Sequence, residues 1–169
     1  KIKFVNLLII LIPIIFTILV INLTKLNIYK NYDEYLINDF NEGEFPRLIS
    51  AMRSVESRKD NRHVMITQEK LTKIYEKVPE SRDLIDLIPK PHSESYSCQR
   101  FGVCSEWTNG WYLFWIKDAA FQTGKTNSLK EAQKYFKSIR TAIEAKCNDE
   151  TLDCKYDGSG LIPPFHLKW

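Results

Sequence analysis

The stretch FVNLLIILIPIIFTILVINL, Phe4–Leu23, contains twenty residues and no ionisable side chain. As an α-helix it is about 30 Å long, which matches the hydrocarbon thickness of a bilayer. Asn6, Pro13, Thr17 and Asn22 interrupt the apolar run, but membrane helices tolerate proline where the freed carbonyl finds another partner. The sequence therefore predicts a transmembrane helix, and a buried core helix is the first alternative.

A cleaved signal peptide is the second alternative, because Lys1 and Lys3 form a basic segment before the apolar run. Signal peptidase sites have small residues in an A-x-A-like pattern. Here residues 20–25 read VINLTK, which lacks that pattern. We therefore expect residues 1–24 to be a retained anchor that crosses the membrane once, with the lipid bilayer contacted through residues 4–23.

Residues 25–41 are predicted to form a juxtamembrane helix, because Tyr29, Tyr32, Leu36 and Phe40 recur at helical spacing. Tyrosine rings collect at lipid–water boundaries. The same rings also pack well on a folded domain. Both interpretations of these tyrosines stay open.

All four cysteines follow the apolar run, in two local pairs with five and six residues between partners: Cys98 with Cys104, and Cys147 with Cys154. An even count in this arrangement predicts disulfides and an oxidising compartment. Zinc sites usually have closer cysteine spacings, and free buried thiols are the other alternative. Of the three possible connectivities, pairing within each local pair is the simplest. We therefore expect the C-terminal part of the chain to be extracytoplasmic.

Residues 42–169 are predicted to form a mainly α, disulfide-stapled domain of four to five helices. Apolar side chains recur at helical spacing in several segments between Phe45 and Ile143. The clearest helix start is Ser128, which forms a capping box with Glu131. The tail from Lys155 contains two glycines and a Pro-Pro pair, so it should be irregular.

Three of the four tryptophans lie four residues apart, at positions 107, 111 and 115. Apolar residues on every side of the segment Trp111 to Ile116 predict a helix that other helices surround. Because large aromatic side chains are mostly buried, we expect core packing rather than ligand stacking. Trp107 precedes this helix and is the candidate for a partly exposed binding residue.

The sequence offers few catalytic candidates. Gly124-Lys125-Thr126 resembles the end of a phosphate-binding loop, but the earlier glycine of that motif is replaced by Ala119, so a helix end is the better interpretation. The three histidines, His63, His92 and His166, have no metal-ligand spacing. We expect no metal and no cofactor.

Two carboxylates near the tryptophans, Glu106 and Asp118, are the candidates for an acid–base pair. The sequence identifies no specific partner other than the lipid bilayer. The net charge is +3 with both signs interspersed, so we expect no nucleic-acid partner. Contacts with other membrane-protein segments are compatible with a membrane anchor.

These features predict a non-enzymatic interaction or structural module at the outer face of a membrane, alone or as a loop domain of a larger polytopic protein. The alternative is an enzyme that acts on an envelope glycan or lipid, with Trp107 as a stacking platform and Glu106 or Asp118 as the acid. The enzyme requires a pocket lined by Trp107 and by a carboxylate of raised pKa. The module requires a filled core.

Overall fold

A computed structural model describes residues 4–60, 64, 66–91, 98–99, 102–107 and 111–155, with the backbone alone at 4–8 and 111. Within these ranges the chain is helical and contains no strand, only two isolated β-bridges. The mainly α prediction is therefore confirmed. The α-helices are α1 Phe4–Tyr32, α2 Glu44–Ser54, α3 Gln68–Lys77, α4 Arg82–Leu87, α5 Trp111–Gln122 and α6 Leu129–Asn148, with a 3₁₀ turn at Pro79–Ser81.

The chain divides into two compact units, residues 1–38 and residues 39–169. In the first unit, Ile9–Tyr32 of α1 is long and apolar enough to cross a membrane, and its most apolar window is not buried. A core helix would be mostly buried, so the exposure of α1 argues against that alternative. A signal sequence near the N-terminus meets the same criteria of length and apolar composition, so that alternative stays open.

The segment 25–41 does not form the separate helix that the tyrosine spacing predicted. Residues 25–32 continue α1, and helical structure stops after Tyr32, where Asp33 adopts a φ of 61°. The chain then turns back along α1, as a hydrogen bond from the Tyr35 hydroxyl to Asn22 Oδ1 at 2.9 Å shows. The Lys25 ammonium lies 5.7 Å from the centroid of the Tyr35 ring. The segment after α1 therefore lies along the last turns of the same helix.

The core of the second unit lies between α2 and α6, on which α3, α4 and α5 complete the packing. The Phe45 and Phe136 rings meet at 5.2 Å between centroids. Each large apolar side chain buried in this way contributes about 1.5–3 kcal/mol. The largest fully buried side chains are Tyr112, Phe45, Phe136, Leu48, Ile49, Met52, Ile66, Ile74, Leu84, Ile116, Ile139 and Ile143.

Polar side chains from other helices hold both ends of α2. At its start the Glu44 N–H donates to Gln133 Oε1 at 2.6 Å, and Arg140 Nε lies 2.6 Å from Glu44 Oε2. At its end the buried Lys70 ammonium donates to the Arg53 carbonyl at 2.6 Å. The Gln133 and Lys70 contacts satisfy backbone groups that a helix leaves unpaired at its termini, and the Arg140–Glu44 pair joins α6 to the start of α2.

Helix α6 begins as predicted. The Glu131 N–H donates to Ser128 Oγ and the Ser128 N–H donates to Glu131 Oε2, which completes the capping box. At its other end Cys147 lies at disulfide distance from Cys154, with 5.5 Å between Cα atoms. Cys98 and Cys104 are likewise at disulfide distance, with 4.3 Å between Cα atoms. Both pairs match the simplest connectivity.

Helix α5 differs from its prediction. One face is buried through Tyr112, Ile116, Ala119 and Ala120, as a core helix requires. The opposite side carries Phe114 and Phe121, which are 52% and 65% exposed. The helix is therefore not surrounded on all sides.

The irregular tail that the sequence predicts after Lys155 lies outside the described residues.

Candidate functional site

Glu106 and Trp107 form a short segment beside the start of α3. The Gln68 N–H, at the first position of α3, donates to Glu106 Oε2 at 2.7 Å. The Gln68 side-chain amide donates to the Ser105 carbonyl at 2.5 Å. Thr67 caps the same helix, because its Oγ accepts from the Lys70 N–H at 3.2 Å. A carboxylate at this place compensates the partial positive charge of a helix N-terminus.

The Glu106 carboxyl is buried, and this burial raises its pKa above the ordinary value of a glutamate. The Gln68 N–H and the Lys59 ammonium, 3.9 Å away, oppose the rise. A buried carboxyl of raised pKa is the type of group that serves as a general acid. Its position here is equally explained by the helix terminus that it binds.

Trp107 is 5% exposed, so it is buried and not the partly exposed residue that the sequence suggested. Its backbone forms a bridge with Ile66, and its ring lies 5.1 Å from the Tyr112 ring between centroids. Among the described residues, the indole N–H and the Tyr112 hydroxyl are buried without hydrogen-bond partners. Burial raises the Tyr112 pKa. An open face for sugar stacking is not present at Trp107.

One side of Trp107 nevertheless borders a groove of about 410 Å³ between α3 and α4. The groove combines apolar walls with a few polar groups, an arrangement common in ligand sites. Glu106 is not among its lining residues. They are Gln68, Leu71, Thr72, Tyr75, Glu76, Ile85, Asp86, Ile88, Lys90 and Trp107.

Asp118 lies on the exposed side of α5 and accepts a hydrogen bond from Gln122 Nε2 at 2.7 Å. Glu106 is buried and bound by Gln68. The two carboxylates thus have different partners and different exposure. The described contacts show no acid–base pair formed by them.

A second hollow, of about 400 Å³, lies beside the turn between α5 and α6. Gly124 adopts a φ of 70° there and its N–H donates to the Phe121 carbonyl, so the Gly-Lys-Thr sequence ends a helix as interpreted. The Lys125 ammonium pairs with Asp83 and lies 5.4 Å from the centroid of the Tyr135 ring. Burial and the nearby Asp83 raise the pKa of Tyr135 to about 12. The hollow's remaining walls carry both signs of charge, from Glu80, Glu131 and Lys134.

The exposed aromatic face of α5, defined by Phe114 and Phe121, is the feature that sequence reasoning missed. The Phe114 ring lies 5.0 Å from Phe40, and the Lys117 ammonium lies 4.2 Å from the Phe40 centroid while pairing with Asp39. A spacing of seven residues places two side chains on one helix face. The seven-residue spacing of Phe114 and Phe121 could therefore have predicted this face, but the other apolar residues of α5 made every side of the helix look buried.

In the part of the chain that the structure describes, no three His, Cys, Asp or Glu side chains are grouped so as to hold a metal ion. His63, His92 and His166 lie outside those residues. No protein-family model, curated protein or solved structure matches the chain.

Proposed function

We propose that the chain is a membrane-anchored module whose C-terminal domain lies outside the cytoplasm and works by interaction rather than by catalysis. The observation that carries the proposal is α1, which is long and apolar enough to cross a bilayer and whose uncharged residues 9–23 are exposed. Such a surface transfers favourably from water into lipid. The proposal applies equally to a domain that acts alone and to a loop of a larger membrane protein.

The cysteine pairs support the orientation. Both pairs belong to the second unit and lie at disulfide distance. Disulfides persist in oxidising compartments and are rare in the cytosol. A domain stapled in this way fits the extracytoplasmic side of the membrane that α1 would cross.

The contacts at the predicted catalytic residues favour interaction over catalysis. Glu106 binds the start of α3, Trp107 is buried in the core, and Asp118 is bonded within its own helix. These contacts give each of the three residues a role in the folded structure that requires no catalytic activity. The exposed aromatic face of α5 differs from these residues, because Phe114 and Phe121 leave more than half of their side-chain surface accessible.

Alkaline carbonate extraction of membranes from cells that express the full chain tests the anchor. We expect the protein to stay with the membranes, and the variant Ile12→Lys/Ile15→Lys to be released, because lysines at the bilayer centre are costly. The variant Asn27→Lys/Asn31→Lys adds the same charge after the apolar run and should stay. Release of the unchanged chain, or its recovery without α1, would contradict the anchor.

Alkylation of unreduced protein taken from the same membranes tests the orientation. We expect no free thiol at the four cysteines, since all four pair in the extracytoplasmic compartment. External protease should also digest the C-terminal domain in intact cells or spheroplasts. Four alkylated thiols, or a protected domain, would place it in the cytoplasm.

A further inference from the structure

The α5 aromatic face is a candidate for contact with a second surface, because its two phenylalanines are the most exposed aromatic pair on one helix of the domain, within the described residues. Phe114 and Phe121 lie seven residues apart, so they share a face and are separated by about 10 Å along the helix. Between them lies the exposed Asp118, bonded to Gln122. Two apolar rings around one polar group suit a lipid–water boundary better than a dry hydrocarbon core.

The short connection between α1 and the domain indicates what covers this face, namely the bilayer that α1 would cross. Tyr35 is bonded to Asn22, at the end of the apolar run. From Tyr35 to Asp39, where the second unit begins, there are four Cα–Cα steps, a reach of at most about 14 Å. Phe40, the next residue, contacts Phe114 directly. A bilayer crossed by α1 is therefore always within reach of the residues that carry the face.

We infer that the α5 aromatic face rests on the lipid headgroup region of the membrane in which α1 is anchored, with Phe114 and Phe121 in the boundary layer. Tethering makes this contact intramolecular in effect, so two rings suffice where an untethered domain would need many more. Asp118 and Lys117 stay at headgroup level, where water and lipid polar groups solvate them. The inference rests on the proposed anchor and adds the orientation of the domain at the membrane.

Depth measurements on the full chain in vesicles test this orientation. A bimane label is placed at Gln122→Cys, beside the face, or at Lys137→Cys on the exposed side of α6. The protein is reconstituted into phosphatidylcholine–phosphatidylglycerol vesicles that carry nitroxide-labelled headgroups. We expect quenching at position 122 to be several-fold stronger than at position 137.

The aromatic residues themselves are tested by adding Phe114→Ser and Phe121→Ser to the chain labelled at position 122. Both side chains are more than half exposed, so the fold should survive, and unchanged tryptophan fluorescence checks this. Quenching should then fall to the level found at position 137. Equal quenching at the two positions, or quenching unaffected by the serines, would overturn the inference.

Flotation of the same vesicles separates the two proposals. Protein that floats with the vesicles but shows no enhanced quenching at position 122 disproves the docked face and leaves the anchor intact. Protein that fails to float disproves the anchor and this inference together.

Discussion

At the scale of single residues, Glu106 shows how a side chain chosen for its chemistry can serve the fold. The sequence placed it beside a tryptophan and suggested an acid. Its partner, the Gln68 N–H, lies 38 residues away in the sequence, so no local sequence pattern could predict the contact. The capping box of Ser128 and Glu131 was predictable because it spans only three residues. Local polar contacts can be read from sequence, whereas tertiary ones require the packed structure.

Replacing Glu106 by alanine removes the acceptor of the Gln68 N–H at the start of α3. We expect Glu106→Ala to lower the free energy of unfolding by about 1 kcal/mol, the usual effect of losing such a helix-terminal acceptor. Urea unfolding of the detergent-solubilised full chain, followed by tryptophan fluorescence, measures it. Glu76→Ala on the exposed side of α3 is the control, and an equal effect there would argue against the helix-terminal role.

The raised pKa of Glu106 makes its contribution to stability depend on pH. Its pKa is higher in the folded than in the unfolded chain, so the folded state binds the proton more tightly. The resulting stability is fully present below the ordinary glutamate pKa and is lost as pH rises through the folded-state value. Glu106→Gln keeps the acceptor but cannot titrate. The unfolding free energy of the unchanged chain, minus that of the glutamine variant, should therefore increase on acidification.

Unfolding measured from neutral pH down to about pH 3.5 covers this range, because it extends below the ordinary glutamate pKa. Other carboxylates, such as Asp83 beside Lys125, have lowered pKa values and affect both proteins equally. Subtracting the variant removes their contribution. A difference that stays constant with pH, or that decreases on acidification, would show that burial does not raise the Glu106 pKa.

At the scale of elements, α2 and α3 depend on groups from other elements at their ends. Helix α2 begins after Gly43, whose φ of 82° and ψ of −154° belong to a region that only glycine occupies readily. Gln133 of α6 accepts the next N–H, and Arg140 pairs with Glu44. The sequence could not predict Gln133 as the neighbour of this glycine, because Gln133 lies 89 residues from Glu44.

Gly43→Ala should destabilise the fold more than Gly124→Ala does. Its new Cβ would lie 2.4 Å from Gln133 Oε1, so the hydrogen bond to the start of α2 must break. We expect a loss of about 2–4 kcal/mol from backbone strain and overpacking together. Thermal unfolding measures the loss.

Gly124→Ala is the matched control, because Gly124 also has positive φ but has no atom within 4 Å of the added Cβ. It should lose only about 1 kcal/mol, from the left-handed conformation. Equal losses at the two positions would mean that the Gln133 contact contributes nothing.

At the scale of the whole molecule, the two cysteine pairs connect the fold to its proposed location. Each pair closes a short loop, for which a disulfide adds about 2–3 kcal/mol. The two together are comparable with the lower end of the net stability of a small domain, about 5 kcal/mol. A reducing compartment would therefore leave this domain marginal. The same dependence could be foreseen from the cysteine spacing, since both pairs are local.

The Cys147–Cys154 pair should also have a specific local effect, which gives the last prediction. The segment after α6 returns to the end of α2, where the Glu56 N–H donates to the Asp153 carbonyl at 2.8 Å and the Lys155 N–H donates to the Ser54 carbonyl at 2.7 Å. Cys147→Ser/Cys154→Ser frees this segment from α6. We expect a loss of about 2–3 kcal/mol and faster amide hydrogen exchange at residues 56 and 155.

Cys98→Ser/Cys104→Ser provides the comparison, because it removes a bridge of nearly the same loop length elsewhere in the domain. Its global loss should be similar, since loop closure depends on loop length and not on position. Exchange at residues 56 and 155 should then accelerate only by the amount that the global loss explains. If both variants accelerate these two amides equally, the Cys147–Cys154 bridge does not hold the segment against α2, and the two backbone hydrogen bonds to the end of α2 form without help from the bridge.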